Sequence, residues 1–370
     1  MEIIHILLGK ANPNRMNGVN KVVNSLATYQ AKKGVEISVW GITKNPAHDY
    51  PKRNYETFLF KETSKIFLPK GMKKAIQNKT KRTVFHFHGG FLPQFILITK
   101  LILKERMTYV FTPHGSYNTI ALERSYWKKK IYICLFEKGL VENAKALHFI
   151  GKSEIIGAKQ LFQVKKHVLI PNGQNAGEIQ FPTDPKKENS FSIFGFCGRL
   201  DVKTKGLDLL LKGFSKFLYN SDQKGELWLI GDGKEKDLLV SLAQNLNITN
   251  QIKFLGSLYG KEKIKIMNQF DYLMLTSRNE GLPGVVLEAS ALGVPSIVSK
   301  ETNMGDYITQ NKAGICLEQN TPTTIAVAMK TASDWKSTGE INRISENAKQ
   351  MIETQFNWKT IVQNLEQLYV

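Results

Sequence analysis

The sequence predicts an α/β protein with two doubly wound domains, each a parallel sheet covered by helices on both faces. Three observations support this prediction: a length of 370 residues, apolar runs of strand length alternating with amphipathic segments, and a polar interruption near the middle. Because roughly 100 to 200 residues form one domain, the length favours two. The composition, 42% hydrophobic and 22% charged, is typical of a folded globular protein.

The first half shows the β–α alternation clearly. A helix-like segment at residues 19–33 follows the first apolar run and ends at Gly34, and glycine commonly follows a helix C-terminus. Continuously apolar runs indicate strands that are buried on both faces of a parallel sheet. The predicted strands are residues 3–8, 35–40, 83–88, 108–112 and 146–150.

A polar, irregular stretch from Pro171 to Glu188 predicts a linker. We therefore predict an N-terminal domain at residues 1–180 and a C-terminal domain at residues 186–370. In the second domain we predict helices at 207–218 and 285–292, and strands at 192–197, 227–230, 252–255, 272–276 and 295–299.

Positive charge is concentrated in the first half. Residues 1–185 contain 29 Lys+Arg and 12 Asp+Glu, a net +17; subtraction from the totals of 51 and 32 leaves 22 and 20, a net +2, for the rest. Two stretches are strongly basic: 65–82, and Arg124 with 128–130 next to Tyr126, Trp127 and Tyr132. This pattern suits an anionic partner such as a membrane surface, a phosphorylated lipid or nucleic acid. An ordinary solvated face is the alternative.

Several classes of site are disfavoured. Cys134, Cys197 and Cys316 form no CxxC pair, so neither a disulfide framework nor a zinc site is indicated. His86 and His88 point to one face of a strand, but no third metal ligand follows at a recognisable spacing. Without an Asp-x-Asp pair either, we expect no metal and no other cofactor. Apolar runs are too short for a membrane span, which predicts a cytoplasmic protein.

The loop after the strand at 192–197 carries Gly198-Arg199 and Lys205-Gly206. In doubly wound sheets, ligands bind at the carboxyl ends of the strands. Arginine offers a bidentate fork to phosphate oxygens and lysine a point charge. The loop therefore suits a diphosphate, although basic residues at such a loop are often merely solvated.

The loop after the strand at 272–276 leads through Glu280 into a helix beginning near Pro283. Proline suits the first position of a helix, and the unpaired N–H groups there attract phosphate or sugar oxygens. Glu288 lies among apolar neighbours and needs a polar partner, for which a ribose diol is suitable. A helix cap at Glu280 and a structural salt bridge at Glu288 are the alternatives.

The segment Glu280-Gly-Leu-Pro-Gly-Val-Val-Leu-Glu288 resembles the signature of retaining GT-B glycosyltransferases of family 4. Gly198-Arg199 with Lys205-Gly206, and Gly231-Asp232-Gly233, match further segments of that family in the same order. The resemblance implies two Rossmann-like domains that face each other across a cleft, with a nucleotide-sugar donor in the second. It also implies that a last helix, about residues 356–370, crosses back to the N-terminal domain.

The resemblance assigns roles in the donor half. Arg199 and Lys205 are expected to hold the diphosphate, and Glu288 the ribose. Glu280 and the segment after it, Gly281, Leu282 and Pro283, are expected to hold the transferred sugar. The loop after Phe254 and Leu255 is expected to contact the base.

In the acceptor half, Gly18 resembles the first glycine-rich loop of the family, which approaches the donor phosphates. His114, in Thr112-Pro-His-Gly-Ser-Tyr117, resembles the family's histidine near the reacting sugar. With it we expect Asn17, His88 and Tyr117 on the acceptor side. A structural histidine is the alternative for His114.

The resulting hypothesis is a retaining transferase that moves a hexose or N-acetylhexosamine from a UDP- or GDP-sugar to a saccharide or lipid-linked saccharide. Bacterial surface polysaccharide or lipopolysaccharide synthesis is the implied context, with peripheral contact to the plasma membrane. The expected catalytic residues are His114, Arg199, Lys205 and Glu280. A sugar-nucleotide epimerase, a catalytically silent binding protein and a basic nucleic-acid-binding protein are the alternative classes.

Overall fold

The computed structural model describes residues 1–12, 18–119, 126–174, 189–220 and 224–370. The chain divides into two compact units. The first unit comprises Met1–Gly173 together with Trp358–Val370, and the second comprises Gln174–Asn357. Most of the linker predicted before Glu188 lies outside the described residues.

The first unit contains a parallel sheet with the order β3-β2-β1-β4-β5-β6-β7. Its strands are β1 (Glu2–Leu8), β2 (Glu36–Thr43), β3 (Glu56–Lys61), β4 (Val84–His88), β5 (Thr108–Thr112), β6 (Ala146–Phe149) and β7 (His167–Leu169). Its first helices are α1 (Gly18–Lys32), α2 (Met72–Gln77), α3 (Pro93–Lys104), α4 (Tyr126–Tyr132), α5 (Lys138–Glu142) and α6 (Lys152–Leu161), with a π-helical segment at Ile133–Glu137 between α4 and α5.

The second unit contains a parallel sheet with the order β10-β9-β8-β11-β12-β13. Its strands are β8 (Ser192–Cys197), β9 (Gly225–Ile230), β10 (Ile252–Gly256), β11 (Tyr272–Leu275), β12 (Ser296–Ser299) and β13 (Gly314–Leu317). Its helices are α7 (Val202–Lys205), α8 (Leu207–Asn220), α9 (Lys236–Asn245), α10 (Gly260–Met267), α11 (Gly284–Ala291), α12 (Gly305–Gln310), α13 (Pro322–Ser337) and α14 (Ile341–Gln355).

The structure confirms the prediction of two parallel-sheet α/β domains. The predicted runs are strands because their side chains are buried on both faces, as the wholly buried β5 residues Tyr109–Thr112 illustrate. The sequence prediction missed β3, β7 and β13. These three strands lie at sheet edges and are largely half-exposed, so they lack the continuous apolar run that marks a central strand.

The last helix, α15 (Trp358–Glu366), packs within the first unit. Its Trp358 ring stacks on Tyr29 of α1 at a centroid distance of 6.2 Å, and Glu366 Oε2 lies 2.7 Å from Lys33 Nζ. The following Tyr369 is fully buried. The end of the chain therefore contributes to the core beside the central strands of the first sheet.

Among the described helices, none is both long and apolar enough to cross a membrane.

Candidate functional site

In the second unit, the strand order reverses between β8 and β11. At such a reversal the loops leave in opposite directions and open a crevice for a ligand. The loop after β8 carries Arg199 and leads into α7, whose last residue is Lys205, and the loop after β11 carries Glu280. The two segments chosen from the sequence therefore emerge from neighbouring strands at the reversal.

Glycines allow the loops of this edge to touch backbone to backbone. A Cβ on Gly231 would lie 1.8 Å from the carbonyl oxygen of Gly198, and Gly231 also has a φ of +142°. A Cβ on Gly206, where φ is +64°, would lie 2.1 Å from the carbonyl oxygen of Thr276. Because a side chain at either position would overlap backbone atoms, glycine is required for this packing.

Lys205 and Glu280 form an ion pair between the two loops. The same carboxylate oxygen of Glu280 accepts a hydrogen bond from Ser277 Oγ at 2.7 Å. The side chains of Lys205 and Glu280 are 18% and 14% exposed, so both can be reached from solvent. The structure thus brings together a cation and a carboxylate that are 75 residues apart in sequence.

The Glu280 loop is held by groups that the sequence analysis missed. Asn303 Nδ2 donates to the carbonyl oxygens of Glu280 and Gly281, both at 2.8 Å. Arg278 makes a bidentate ion pair with Asp208 at 2.8 and 2.9 Å, which raises the pKa of Arg278 and lowers that of Asp208. These partners lie on other elements, and no local spacing in the sequence signals them.

Glu288 lies on α11 and is 8% exposed. Its Oε2 accepts from Lys263 Nζ of α10 at 2.6 Å. Thus Lys263 supplies a polar partner that this carboxylate was expected to need, and the sequence analysis did not identify it. Burial raises the pKa of the nearby Cys197 thiol to about 11. The charges of Lys263, Glu288 and Lys205 also affect this pKa, which places Cys197 in the same region.

The remaining donor-side residues differ in their exposure. Arg199 is exposed and makes no hydrogen bond or ion pair within the described part of the chain. Pro283 is the N-cap of α11, which begins at Gly284, one residue before the predicted range of 285–292. Three others are half-buried side chains packed against the core of the second unit: Phe254, Leu255 and Leu282.

In the first unit, the strand order reverses between β1 and β4. His88 is the last residue of β4 and is buried; its Nδ1 lies 2.9 Å from His114 Nε2. Gly18 is the exposed first residue of α1, and Asn17 lies outside the described residues. His88 is therefore placed behind His114 rather than at the surface.

The turn after β5 holds His114 in a left-handed conformation with a φ of +52°. Behind the turn, the carboxylate of Glu154 accepts a hydrogen bond from the backbone N–H of Gly115. Burial raises the pKa of Glu154 to about 7. The partly buried His114 is thus fixed by its backbone as well as by His88.

The expected acceptor contact of Tyr117 disagrees with the structure. Its side chain is fully buried, and its hydroxyl donates to Glu137 Oε1 at 2.7 Å. Glu137 is buried as well, and its Oε1 also accepts from the N–H of Phe91 at 2.8 Å. Tyr117 is therefore buried in the first unit and does not reach the surface.

Two family models match the chain. Residues 16–177 match the model described as Glycosyltransferase Family 4, and residues 179–351 match the model described as Glycosyl transferases group 1. The two matches meet near the boundary between the two units.

Curated relatives carry the same description. An uncharacterized glycosyltransferase of Methanocaldococcus jannaschii is 29% identical over 175 residues, which are 47% of this chain and 43% of that protein. EpsF of Bacillus subtilis, named as a glycosyltransferase, is 24% identical over 316 residues, covering 80% of this chain and 78% of EpsF. The first alignment spans less than half of the archaeal protein.

Solved structures share the whole fold. Sucrose-phosphate synthase from Thermosynechococcus elongatus has a TM-score of 0.78 at 18% identity, with 100% of this chain and 98% of that chain covered. Anabaena HepE, solved in complex with UDP, has a TM-score of 0.75 at 16% identity, with 99% of each chain covered. Because the sequence identities are 18% and 16%, this structural similarity establishes the two-domain fold and nothing further.

Proposed function

Because this chain is a group 1 glycosyltransferase of the two-domain GT-B fold, we propose that it transfers a hexose or N-acetylhexosamine from a UDP- or GDP-sugar. The proposed acceptor is a saccharide or a lipid-linked saccharide, and the proposed context is bacterial surface polysaccharide synthesis in the cytoplasm. We further propose that the anomeric configuration is retained. The second unit binds the donor, and the first unit supplies the acceptor.

The observation that carries this proposal is the pair of Lys–Glu contacts in the second unit, Lys205–Glu280 and Lys263–Glu288. Lysines suit the oxygens of a diphosphate, and carboxylates accept hydrogen bonds from sugar and ribose hydroxyls. On donor binding, the diphosphate takes over Lys205 while Glu280 turns to the transferred sugar. Glu288 accepts from the ribose diol, and Lys263 holds that carboxylate in place through their ion pair.

The proposed reaction occurs on one face of the sugar. The bond between the anomeric carbon and the β-phosphate oxygen breaks, and the acceptor oxygen forms its bond to the same face. The proton of the acceptor hydroxyl passes to the departing diphosphate. Arg199, Lys205 and the N-terminus of α11 stabilise the charge that develops on this leaving group.

We propose that no metal ion or other cofactor is required. Two cations that follow β8, Arg199 and Lys205, are proposed to neutralise the charge of the diphosphate. Turnover is therefore expected to be unchanged when EDTA is added to protein purified without added metal. A loss of activity in EDTA that Mg²⁺ or Mn²⁺ restores would overturn this part of the proposal.

Calorimetric titration with a panel of UDP- and GDP-sugars tests the donor assignment. Lys205→Ala is expected to weaken binding of the preferred donor at least tenfold, because Lys205 contacts the diphosphate. The matched control is Lys253→Ala, since Lys253 lies on β10 of the same sheet, pairs with Glu226 of β9 at 2.6 Å and is 46% exposed. Equal donor affinities of the two variants would contradict the assignment of Lys205 to the diphosphate. Acceptor-dependent release of the nucleoside diphosphate would separate transfer from epimerisation or silent binding.

We also propose that the first unit contacts an anionic membrane. Trp127, Ile131 and Leu135 recur at every fourth position along α4 and the π-helical segment, and they are 72%, 60% and 66% exposed. Lys129 and Lys130 lie on the same helix. Exposed apolar side chains with neighbouring lysines are typical of helices that lie in a membrane interface.

Vesicle sedimentation tests this contact. The protein is expected to sediment with phosphatidylglycerol vesicles, and less with phosphatidylcholine vesicles. Trp127→Ala combined with Ile131→Ser is expected to reduce sedimentation, with Tyr219→Ala as the control because Tyr219 is 66% exposed in the second unit. A single-stranded oligonucleotide is expected not to bind. Equal sedimentation of both variants would refute the membrane contact.

A further inference from the structure

Five of the seven histidines of the chain form one network in the first unit. His5 lies on β1, His86 and His88 on β4, His148 on β6, and His114 just after β5. The parallel register aligns them, since His5 is paired with His86 and His88 with Thr112. The four strand histidines are at most 4% exposed. A network of this extent inside a sheet requires every ring nitrogen to be satisfied.

The direction of the hydrogen bonds is set at one end by the carbonyl oxygen of Ile170. That oxygen only accepts, so His148 Nε2 carries a proton and donates to it at 2.7 Å. Nδ1 of the neutral His148 then accepts from the Thr112 hydroxyl at 2.9 Å. With its own proton used, Thr112 Oγ1 accepts from His86 Nε2 at 2.6 Å. His86 is thereby fixed with its proton on Nε2.

The direction continues through two residues that lie outside the strands. His86 Nδ1 accepts from the Tyr369 hydroxyl at 2.8 Å, and the oxygen of Tyr369 accepts from the amide nitrogen of Gln30 at 3.3 Å. The amide oxygen of Gln30 therefore points the other way. It accepts from His5 Nε2 at 2.6 Å, so His5 also carries its proton on Nε2.

The last two steps lead to His114. His5 Nδ1 accepts from His88 Nε2 at 2.9 Å, and His88 Nδ1 accepts from His114 Nε2 at 2.9 Å. All five imidazoles thus have the same tautomer. His114 Nδ1 has no hydrogen-bond partner within the described part of the chain, and it retains its lone pair.

Neutral rings are what burial favours here. Loss of hydration lowers the pKa of His5 and of His148 to about 4, and that of His114 to about 3. The same cause lowers the pKa of His86 and His88. At neutral pH each ring therefore has one donor and one acceptor nitrogen, as the directed chain requires.

A metal site is the competing interpretation of three of these rings. Among the described residues, His5, His86 and His88 bring ring nitrogens within 4.8 Å of one another, and imidazole is a common metal ligand. However, both nitrogens of each ring already make a hydrogen bond of 2.6 to 2.9 Å. A metal would have to break several of these bonds, so the contacts favour the hydrogen-bond chain.

We propose that this chain of hydrogen bonds holds His114 in a single tautomer. Nδ1 of His114 is then presented as a hydrogen-bond acceptor for a hydroxyl group of the sugar substrates. The use of that nitrogen rests on the proposed glycosyl transfer, whereas the tautomer itself does not. His5, His88 and Gln30 act as positioning residues through His114. Tyr369, in the segment after α15, connects Gln30 to His86 within this series of hydrogen bonds.

Two consequences follow from the donor-to-acceptor direction of this chain of hydrogen bonds. It ends on a backbone carbonyl, which cannot take up a proton at neutral pH, so the chain orients His114 and does not carry protons away. A neutral acceptor nitrogen also suits a hydroxyl donor and not a phosphate oxygen. His114 is therefore expected to contact a sugar hydroxyl rather than the diphosphate of the donor.

Two-bond ¹H–¹⁵N correlation spectra of the full chain, labelled only at histidine, read the tautomer of each ring. We expect the five network histidines to show the form protonated on Nε2 at pH 7. His48 and His167 lie outside the network, and their tautomers are not part of this expectation. Inorganic phosphate is expected to leave the His114 signals unchanged. A His114 protonated on Nδ1, or an imidazolium at pH 7 with or without phosphate, would overturn the proposal.

The variant Gln30→Leu separates the two halves of the chain. His148 and His86 remain tied to Ile170 and Tyr369, so they are expected to keep their tautomer and to report an intact fold. His5, His88 and His114 lose their acceptor and are expected to show both tautomers. The control variant is His167→Gln, which lies outside the network and is expected to change no other histidine signal.

Steady-state kinetics then test whether the chain of hydrogen bonds to His114 affects catalysis. With the preferred nucleotide sugar, Gln30→Leu is expected to lower kcat/KM about tenfold, while His167→Gln retains the wild-type value. If His114 keeps one tautomer in Gln30→Leu, the positioning proposal is wrong whatever the activity. If the tautomers behave as expected and no nucleotide sugar is turned over by the wild type, the proposed function alone is wrong.

Discussion

The two units share one strand order, apart from the additional edge strand β7 of the first unit, but they place opposite chemistry where that order reverses. In the first unit the reversal between β1 and β4 is filled by neutral imidazoles, of which His5 and His86 are fully buried. In the second unit the reversal between β8 and β11 carries the ion pair of Lys205 and Glu280, whose side chains stay 18% and 14% exposed. A neutral hydrogen-bonded network can be buried completely, whereas ionised groups are costly to desolvate and remain near water. The same fold thus supports an orienting network in one unit and a charged binding site in the other.

The largest expected difference between the units is their response to acid. All seven histidines lie in residues 1–173. Burial lowers the pKa of His5 and His148 to about 4, and also lowers the pKa of His86 and His88. Their stabilising contribution is complete above the unfolded pKa of about 6.5 and is lost as pH falls toward the folded values. The expected loss by pH 5 is about 2 kcal/mol each for His5 and His148, and His86 and His88 add to this loss in the same direction.

Two carboxyl groups in the same unit oppose this loss. Burial raises the pKa of Glu154 to about 7 and raises that of Glu137, so their contribution is lost as pH rises, not as it falls. Because burial lowers the pKa of four rings and raises that of two carboxyls, we expect the first unit to lose stability on acidification. Urea unfolding at pH 7 and pH 5, with a hydrogen-exchange pulse at one fixed pH, reads the two units separately. An equal loss of stability in both units would contradict the prediction.

The next largest effect is expected in the second unit from Lys205→Ala. Removing one charge that stabilises the leaving group is expected to lower kcat by about 100- to 1,000-fold, with little change in melting temperature because Lys205 is partly exposed. Steady-state kinetics and thermal unfolding measure the two quantities. Gln30→Leu in the first unit is expected to differ from Lys205→Ala, because it should change the melting temperature as well as kcat/KM. A Lys205→Ala enzyme with near-normal turnover would remove the contrast between the units.

Gly231→Ala is expected to destabilise the second unit alone by about 2–4 kcal/mol. The added Cβ would lie 1.8 Å from the carbonyl oxygen of Gly198, and the backbone there has a φ of +142°. The control is Gly139→Ala in the first unit, where nothing lies within 4 Å of the added atom. Denaturant unfolding compares the two variants. Equal stabilities would show that the β8 and β9 loops can move apart freely.

The smallest effect is expected for Tyr117→Phe. Loss of the hydroxyl removes the 2.7 Å hydrogen bond to buried Glu137, which is expected to cost about 1–2 kcal/mol of stability. Because Tyr117 is fully buried, kcat/KM is expected to change less than threefold. A large rise in the KM for the acceptor, without a change in stability, would restore the acceptor contact that the sequence suggested.

Local patterns made much of the fold and part of the site predictable. The runs at 108–112 and 192–197 coincide with β5 and β8, because a strand buried on both faces has to be continuously apolar. Glu280, Arg199 and Lys205 could be chosen because loops at the carboxyl ends of strands carry the ligands of such sheets. The prediction for Tyr117 was wrong because its burial depends on side chains from other elements.

The sequence by itself determined the two α/β units, the position of the Glu280–Glu288 segment, and the separation of +17 from +2 in charge. All of these depend on residues that are close together along the chain. Only the tertiary structure decided which groups meet. Lys263 reaches Glu288 from 25 residues away, and His5 meets His88 across 83 residues. Such contacts are set by strand register and helix packing, and therefore no local pattern in the sequence could have revealed them.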